Sequence, residues 1–224
     1  MLIDIFHDPV CPWCRIGKKH LFDALAQFPE KEVDIRWHPF ILDNTVPADG
    51  YEFRSFMQNR KGIKADKLQN LFDYTQYAGE AAGVKLDFEK IRLAVNTRLS
   101  HLLITLAPAK VKNDVVEAIY KAYFEDGLNI GDIDVLIAIG RAYQMDSREL
   151  RLQLSDDAAV KALVAESIFD RPNGINSIPF FIINNKVKIN GSHSVEMFLE
   201  ALNRAALLDR SAKIWSLTSS KKVN

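Results

Sequence analysis

The chain has 224 residues, of which 48% are hydrophobic and 26% are charged, the usual proportions of a globular protein with a hydrophobic core. Its 29 basic and 29 acidic side chains give a formal net charge of zero, so charge alone attracts neither nucleic acid nor an anionic membrane. No apolar stretch approaches the length of a transmembrane helix, and the sequence therefore predicts no membrane span.

The first eight residues, MLIDIFHD, predict a buried strand over 2–6 and lack the basic region of a secretory signal peptide. Pro12 is typical of the first position of a helix, and the apolar stripe that follows runs to about Gln27, where Pro29 ends it. Alternating apolar and polar residues over 33–38 then indicate a half-buried strand.

The middle of the chain, 48–149, shows helical stripes and no strand pattern. Asp132 is expected to be the N-cap of one of these helices. The stripes contain Leu68, Leu71, Phe72 and Thr75, then Leu99, Leu102, Leu103 and Leu106, then Val116, Ile119, Tyr120 and Tyr123, then Ile133, Leu136 and Ile137.

Strand signals return near the C-terminus. The apolar run 180–183 and the alternating run 187–190 are separated by Asn184 and Asn185, which is typical of a β-hairpin. A helical stripe over 195–202 follows, and residues 209–224 have the polar composition of a tail outside the fold.

This order of elements predicts an α/β fold, with a mixed central sheet of about four strands and a large all-helical insertion. Residues 1–47 and 150–208 would form one discontinuous domain with the sheet. Residues 48–149 would form the helical domain, and 209–224 the C-terminal tail.

Cys11 and Cys14, the two cysteines of the chain, stand three residues apart at the expected start of the first helix. The N-terminal end of a helix stabilises a thiolate, which is the nucleophile in disulfide exchange. Cys11 is therefore the candidate attacking thiol, and Cys14, one turn deeper, the candidate resolving thiol. The intervening Pro12 and Trp13 add no charge to the active-site loop.

Two other interpretations of the pair are open. A structural disulfide across so short a loop would contribute little to stability. A zinc site needs about four ligands, and His7 and His20 would have to complete it without any supporting spacing, so we expect no metal. Because structural disulfides are rare in the cytosol, and we expect a cytoplasmic protein, redox exchange is the preferred interpretation.

Two residues before the pair are candidates for tuning the thiols. Asp4 is either a buried proton acceptor for Cys14 or a polar residue on a sheet edge, and the second is preferred because burying an unpaired acid is costly. His7 could stabilise the thiolate when protonated, or it could be an ordinary loop histidine.

Pro179 stands at the start of the apolar strand over 180–183, after Ile178. Proline is common at the first residue of a strand, which makes this an ordinary strand boundary. A cis bond between Ile178 and Pro179 is the sharper alternative.

The sequence resembles the thioredoxin superfamily, in particular its DsbA-like branch and, within that branch, the FrnE-type group. The similarity spans about residues 1–207 and includes CPWCRIGKKHL, AYFEDGLNIGDIDVL and NSIPFFIINNKVKINGSHSVEMFLEAL. It implies a thioredoxin fold interrupted by a helical domain, with Pro179 cis and packed beside Cys11. It also implies that the backbone of Ile178 binds an extended substrate segment as an added strand.

Two residues depart from the pattern of this group. Arg15 follows the second cysteine where an aromatic residue is common, and Asp4 is displaced by one position from the acid that many thioredoxins bury below the active site.

The resulting hypothesis is a thiol-disulfide oxidoreductase or isomerase that acts on protein or low-molecular-weight disulfides. It needs no cofactor, although glutathione could be a redox partner, and it leaves the oligomeric state open. The alternative is a glutathione-dependent enzyme like the kappa-class transferases or 2-hydroxychromene-2-carboxylate isomerases, although those have serine where this chain has Cys11. A second alternative is a non-catalytic module that binds polypeptides.

Overall fold

The structure is a computed structural model, and it describes residues 1–29, 32–169 and 174–220. In chain order the elements are β1 (Leu2–His7), α1 (Pro12–Gln27), β2 (Asp34–Pro39), β3 (Tyr51–Glu52), α2 (Phe53–Asn59), α3 (Ala65–Ala81), β4 (Leu93–Ala94), α4 (Arg98–Leu106), α5 (Ala109–Phe124), α6 (Ile133–Ala142), α7 (Ser147–Leu154), α8 (Asp157–Phe169), β5 (Phe180–Ile183), β6 (Val187–Asn190) and α9 (Val195–Ser220). None of the helices in these described ranges is long and apolar enough to cross a membrane.

The central sheet has four strands in the order β2-β1-β5-β6. β1 is parallel to β2 and antiparallel to β5, and β5 is antiparallel to β6. Asn184 and Asn185 join β5 to β6 with φ values of 49° and 55°, a left-handed conformation that asparagine tolerates well in tight hairpins. The expected α/β fold with a mixed sheet of four strands is therefore confirmed.

α1 and α9 cover one face of this sheet. Ile3 and Ile5 of β1 pack there against Leu21 of α1 and against Phe198 and Leu202 of α9, and all five side chains are fully buried. Side chains alternate between the two faces along a strand, so Asp4 and Phe6 point to the opposite face, where β2 meets α8. The face of the sheet on which an acid lies therefore decides whether it can reach the cysteines.

Most of the other helices form a second core, which also includes Cys11 and Cys14. Asp132 caps the N-terminus of α6 and accepts hydrogen bonds from the N–H groups of Asp134 and Val135, as expected. Residues 48–149 are not entirely helical, because β3 and β4 form a small antiparallel pair. Each of these strands has two residues, which is too short to show an alternating pattern in the sequence.

α9 is longer than the apolar stripe of its first turns indicates. It continues to Ser220, through residues that have the composition of a tail. Residues 221–224, the end of the expected tail, lie outside the described residues.

Candidate active site

Cys11 lies at the N-terminal end of α1, where it is the N-cap residue, with Pro12 in the first turn as expected. Its carbonyl oxygen accepts hydrogen bonds from the N–H groups of Cys14, at 3.1 Å, and Arg15, at 3.4 Å. Its own N–H donates to the carbonyl oxygen of Asp8 at 2.9 Å. Both cysteines are free thiols, and the backbone holds them across the first turn of one helix.

The two thiols differ in their surroundings. Cys11 is 7% exposed and Cys14 is 2% exposed. Burial raises the pKa of Cys14 well above its usual value, and the hydrogen bond to Cys11 and the charge of Cys11 act in the same direction. A hydrogen bond from the Asp8 backbone lowers this pKa, but it does not outweigh the other effects. Cys14 therefore keeps its proton while Cys11 is unreacted, as a resolving thiol would.

Asp8, in the loop between β1 and α1, is a buried acid that the sequence did not single out. Its side chain is 1% exposed and accepts hydrogen bonds from the N–H groups of Leu42, at 2.8 Å, and Val10, at 3.4 Å. Burial raises the pKa of Asp8 to about 6, although these hydrogen bonds and one from the Thr97 side chain oppose the rise. Asp8 is thus a buried carboxyl group in the loop before Cys11, and it loses its proton at a higher pH than an ordinary aspartate. Its position three residues before Cys11 was the one available sequence signal.

His101 of α4 lies against this acid, with its Nε2 3.8 Å from Asp8 Oδ1. Burial lowers the pKa of His101 to about 3, so the ring is neutral and the contact is not an ion pair. The ring of His101 also packs against that of His7, with 5.2 Å between the centroids.

His7 is the last residue of β1 and is 1% exposed, so it is not a loop histidine. Its Nδ1 forms a hydrogen bond of 2.8 Å with the hydroxyl of Tyr120. Burial lowers the pKa of His7 well below its usual value, and the charge of nearby Lys18 acts in the same direction. A protonated His7 that stabilises the thiolate is therefore not supported.

Asp4 is buried in an interior strand, so the preferred interpretation, a polar residue on a sheet edge, is wrong. Its side chain points to the face of the sheet away from α1. Its Oδ1 accepts hydrogen bonds from Arg36 Nε and His38 Nε2, both at 2.7 Å, and β1 is an interior strand rather than an edge. Burial acts to raise the pKa of Asp4, but the hydrogen bonds and charges of Arg36 and His38 outweigh it and lower the pKa. Asp4 is an ionised structural residue, and the acid near the thiols is Asp8.

Pro179 immediately precedes β5, and the bond between Ile178 and Pro179 is cis, as the resemblance implied. Pro179 lies against the second turn of α1, where a Cβ added to Gly17 would be 3.1 Å from Pro179 Cγ. Ile178 packs against the cluster of buried residues that includes Cys11 and Cys14. The structure thus brings together residues separated by more than 160 positions in the sequence.

Arg15 replaces the aromatic residue expected after the second cysteine, and its side chain is only 5% exposed. Its guanidinium donates to Glu117 at 2.7 Å and to Glu125 at 2.6 Å, and also to the carbonyl oxygen of Lys85 at 2.7 Å. Lys18, one turn further along α1, donates to the other oxygen of Glu117 at 2.8 Å. These contacts attach the start of α1, and with it the cysteine pair, to α5.

A cavity of about 390 Å³ lies beside Cys11, between the start of α1 and helices α2 and α3. We call it the Cys11 cavity. Trp13 lines it and packs against Tyr74 of α3, with 6.0 Å between the ring centroids. Among the residues that the structure describes, no cluster of three or more His, Cys, Asp and Glu side chains could hold a metal ion.

Comparison with known proteins identifies the family of this chain. The family model described as a DSBA-like thioredoxin domain matches residues 2–203. YwbO of Bacillus subtilis is 24% identical over 205 residues, which are 90% of this chain and 95% of that protein. The crystal structure of a probable DsbA oxidoreductase from Streptomyces coelicolor is similar with a TM-score of 0.82 and 25% identity, over 92% of this chain and 89% of the other.

A third similar structure is the cytosolic disulfide reductase DsbM from Pseudomonas aeruginosa, which was solved with glutathione. Its TM-score is 0.62 at 14% identity, over 95% of this chain and 100% of the other, which shows a shared fold. The match of the family model to almost the whole chain, together with the strand order and the position of the cysteines, leads to one assignment. This chain belongs to the DsbA-like thioredoxin-domain family.

Proposed function

We propose that the protein is a thiol-disulfide oxidoreductase in which Cys11 is the nucleophile and Cys14 resolves the mixed disulfide. The observation that carries the proposal is the difference between the two thiols. Cys11 is the N-cap of α1 and lines an open cavity, whereas Cys14 is more deeply buried and has a pKa raised by burial and by its hydrogen bond to Cys11. Cys11 is thus placed to attack a substrate disulfide, and Cys14 is placed to resolve the mixed disulfide that forms.

The proposed reaction transfers two electrons. The Cys11 thiolate attacks one sulfur of the substrate disulfide, forms a mixed disulfide and releases the other half of the substrate, which takes up a proton. Cys14 then loses its proton and attacks Cys11 Sγ, which forms the Cys11–Cys14 disulfide and releases the second substrate thiol. The dithiol is oxidised and the substrate disulfide is reduced, and the reverse sequence would oxidise a substrate dithiol.

The proposed substrate groove includes Ile178 and Pro179. An extended polypeptide could pair with the backbone of Ile178 as an added strand, a mode of binding that tolerates many sequences. The packing of Ile178 against the cluster that contains both cysteines supports this placement. Pro179, which precedes β5 and contacts α1, would shape the groove.

The proposed substrates are protein or low-molecular-weight disulfides, and the proposal includes no resident cofactor. Glutathione is a candidate redox partner, since the similar protein DsbM was solved with it. The motif CPWCRIGKKHL supports placement in the FrnE-type group, and a cytoplasmic location agrees with the description of DsbM as cytosolic. Because Cys11 stands where the glutathione transferases of this branch have serine, exchange is preferred over transfer or isomerisation.

Reduction of insulin by the protein, with dithiothreitol as electron donor, tests this proposal. We expect activity in the natural protein and none in the variant Cys11→Ser, with the exposed substitution Ser211→Ala as a matched control. Activity that survives Cys11→Ser would contradict the proposal, and glutathione-dependent turnover that is independent of Cys14 would favour a transferase. The reduction potential of the Cys11–Cys14 pair then gives the direction of exchange, since a value of about −270 mV indicates a reductant and about −120 mV an oxidant.

A further inference from the structure

The Cys11 cavity reaches the nucleophile by a route that does not include the proposed polypeptide groove. Its wall contains Cys11, Pro12 and Trp13 of α1, but neither Ile178 nor Pro179. The cavity therefore offers an approach to Cys11 that is separate from the proposed groove at the start of β5. A volume of about 390 Å³ lies within the range of roughly 300–1,000 Å³ that is typical of small-molecule sites.

The walls of the cavity are predominantly apolar. α2, α3, the segment after α3 and the end of α5 contribute the phenyl rings of the wall, which are those of Phe53, Phe56, Phe72, Phe88 and Phe124. Rings of this kind favour flat apolar ligands, because each aromatic contact adds a geometric preference to the burial of apolar surface.

The charged groups of the cavity disfavour an anionic ligand. Lys61, the one cation among the described residues that line it, is paired with Asp43 at 2.9 Å. Asp8 is the third charged residue of the lining and is more than half ionised at neutral pH, since burial raises its pKa to about 6. A carboxylate would therefore enter an apolar space without an unpaired cation to receive it, which is costly.

The mouth of the cavity is marked by the lining residues that solvent reaches. Leu71 of α3 is 37% exposed, although it belongs to the same stripe as the buried Leu68 and Phe72. Trp13, which is half-buried, lies on the side of α1. An apolar residue at the rim of an apolar cavity is suited to guide an apolar molecule inward and can be enlarged without disturbing the core.

We propose that the Cys11 cavity binds neutral, apolar disulfides of low molecular weight, such as those with two small aromatic rings, and presents one of their sulfurs to Cys11. This inference rests on the proposed thiol-disulfide exchange. Cys11 attacks the bound disulfide and displaces one aromatic thiol, and Cys14 then displaces the other from Cys11. The protein dithiol loses two electrons, and two protonated thiols leave.

A stopped-flow experiment with the reduced protein tests this selectivity. The probes are the neutral reagent dithiodipyridine and the dianionic reagent dithiobis(nitrobenzoate), and both release a coloured thiol. We expect Leu71→Trp to slow the reaction with the neutral reagent by about tenfold, the loss that follows when one ring can no longer be buried. The same substitution should change the reaction with the dianionic reagent far less. Leu152→Trp, at an exposed position of α7 outside the cavity, is the matched control and should change neither rate.

Binding of dipyridylethane, which has two carbons in place of the two sulfurs, provides a measurement without reaction. Calorimetry should detect its binding to the variant Cys11→Ser, and weaker binding when Leu71→Trp is added. Absence of binding, or equal effects of Leu71→Trp on both reagents, would overturn the cavity proposal and leave the exchange activity with insulin intact. Binding by a protein that fails to reduce insulin would instead support the cavity and contradict the proposed exchange.

Discussion

The backbone of Asp8 is hydrogen-bonded to Cys11, whose N–H donates to the Asp8 carbonyl oxygen at 2.9 Å. The side chain of Asp8 is almost completely buried in the same loop. The residue whose backbone holds the nucleophile thus carries a carboxyl group that is protonated in mild acid and ionised at higher pH.

The substitution Asp8→Asn should change how stability depends on pH. Because burial raises the pKa of Asp8 to about 6, from an ordinary value near 3.9, the folded protein binds the proton more tightly than the unfolded chain. The stabilisation of the folded protein by this tighter proton binding is fully present below about pH 4 and is lost as the pH rises to about 6. The loss of unfolding free energy over this interval is at most on the order of 3 kcal/mol. Relative to the natural protein, Asp8→Asn should therefore gain stability over this interval.

Urea unfolding at several pH values between about 3 and 8 measures this difference. A difference in the free energy of unfolding that stays constant over the whole interval would show that Asp8 has an ordinary pKa.

The substitution Asp4→Asn should affect stability but not exchange. Asp4 is an ionised acid that binds Arg36 and His38 on the face of the sheet away from α1, so its loss should destabilise the fold at pH 7 by about 1–3 kcal/mol. Since the hydrogen bonds and charges of these partners lower its pKa, this contribution should fade as the pH falls through the folded-state pKa. Denaturant unfolding and insulin reduction measure the two effects, and a large loss of activity in a folded variant would assign Asp4 a role in catalysis.

The substitution Arg15→Met should lower the stability of the fold, because it removes the contacts that attach the start of α1 to α5. Arg15 contacts Glu117, Glu125 and the carbonyl oxygen of Lys85, and its removal leaves Glu125 without this partner. Because the two glutamates are partly exposed, we expect a loss of about 2 kcal/mol, below the usual cost of breaking a fully buried pair.

Arg15→Lys is the matched control for charge, since one ammonium group cannot reach all three acceptors and should recover only part of the loss. Thermal unfolding measures both variants. Full stability in Arg15→Met would mean that the network contributes nothing to the fold.

The substitution Gly17→Ala should destabilise the protein, contrary to the helix propensities of the two residues. Alanine is favoured over glycine by about 1 kcal/mol within a helix. The new Cβ, however, would lie 3.1 Å from Pro179 Cγ and 3.2 Å from the ring of Phe181, and we expect a net loss of about 1–3 kcal/mol from overpacking.

Ala26→Gly, at an exposed position of α1, is the reference for this helix and should show the ordinary propensity loss. Denaturant unfolding of both variants gives the comparison. A gain of stability in Gly17→Ala would show that Pro179 and α1 are not in tight contact.

The elements that could be predicted from the sequence are those with a clear local pattern. The span of α1 to Gln27, the hairpin at Asn184 and Asn185 and the succession of strands and helices along the chain at either end of the sequence follow from periodicity and turn residues. The two-residue strands β3 and β4 have no period to detect, and the continuation of α9 beyond its apolar stripe leaves no hydrophobic pattern.

In the active site, too, only the residues that a local pattern or the resemblance marks could be predicted. The cysteines were identified from their spacing, and Pro179 from the resemblance. Asp8 could not be distinguished from Asp4, because the burial of an acid depends on contacts with distant residues. The N–H of Leu42 and the side chain of Thr97 surround Asp8, and neither is adjacent to it in the sequence.

Trapping of the reaction intermediate tests the division of roles between the two cysteines most directly. Each single-serine variant is mixed with a peptide that contains one disulfide, quenched with acid and analysed by mass spectrometry. We expect Cys14→Ser to accumulate a mixed disulfide at Cys11, because the resolving thiol is absent, and Cys11→Ser to accumulate almost none. A mixed disulfide that forms at Cys14 in the Cys11→Ser variant, as fast as the one at Cys11 in Cys14→Ser, would contradict it.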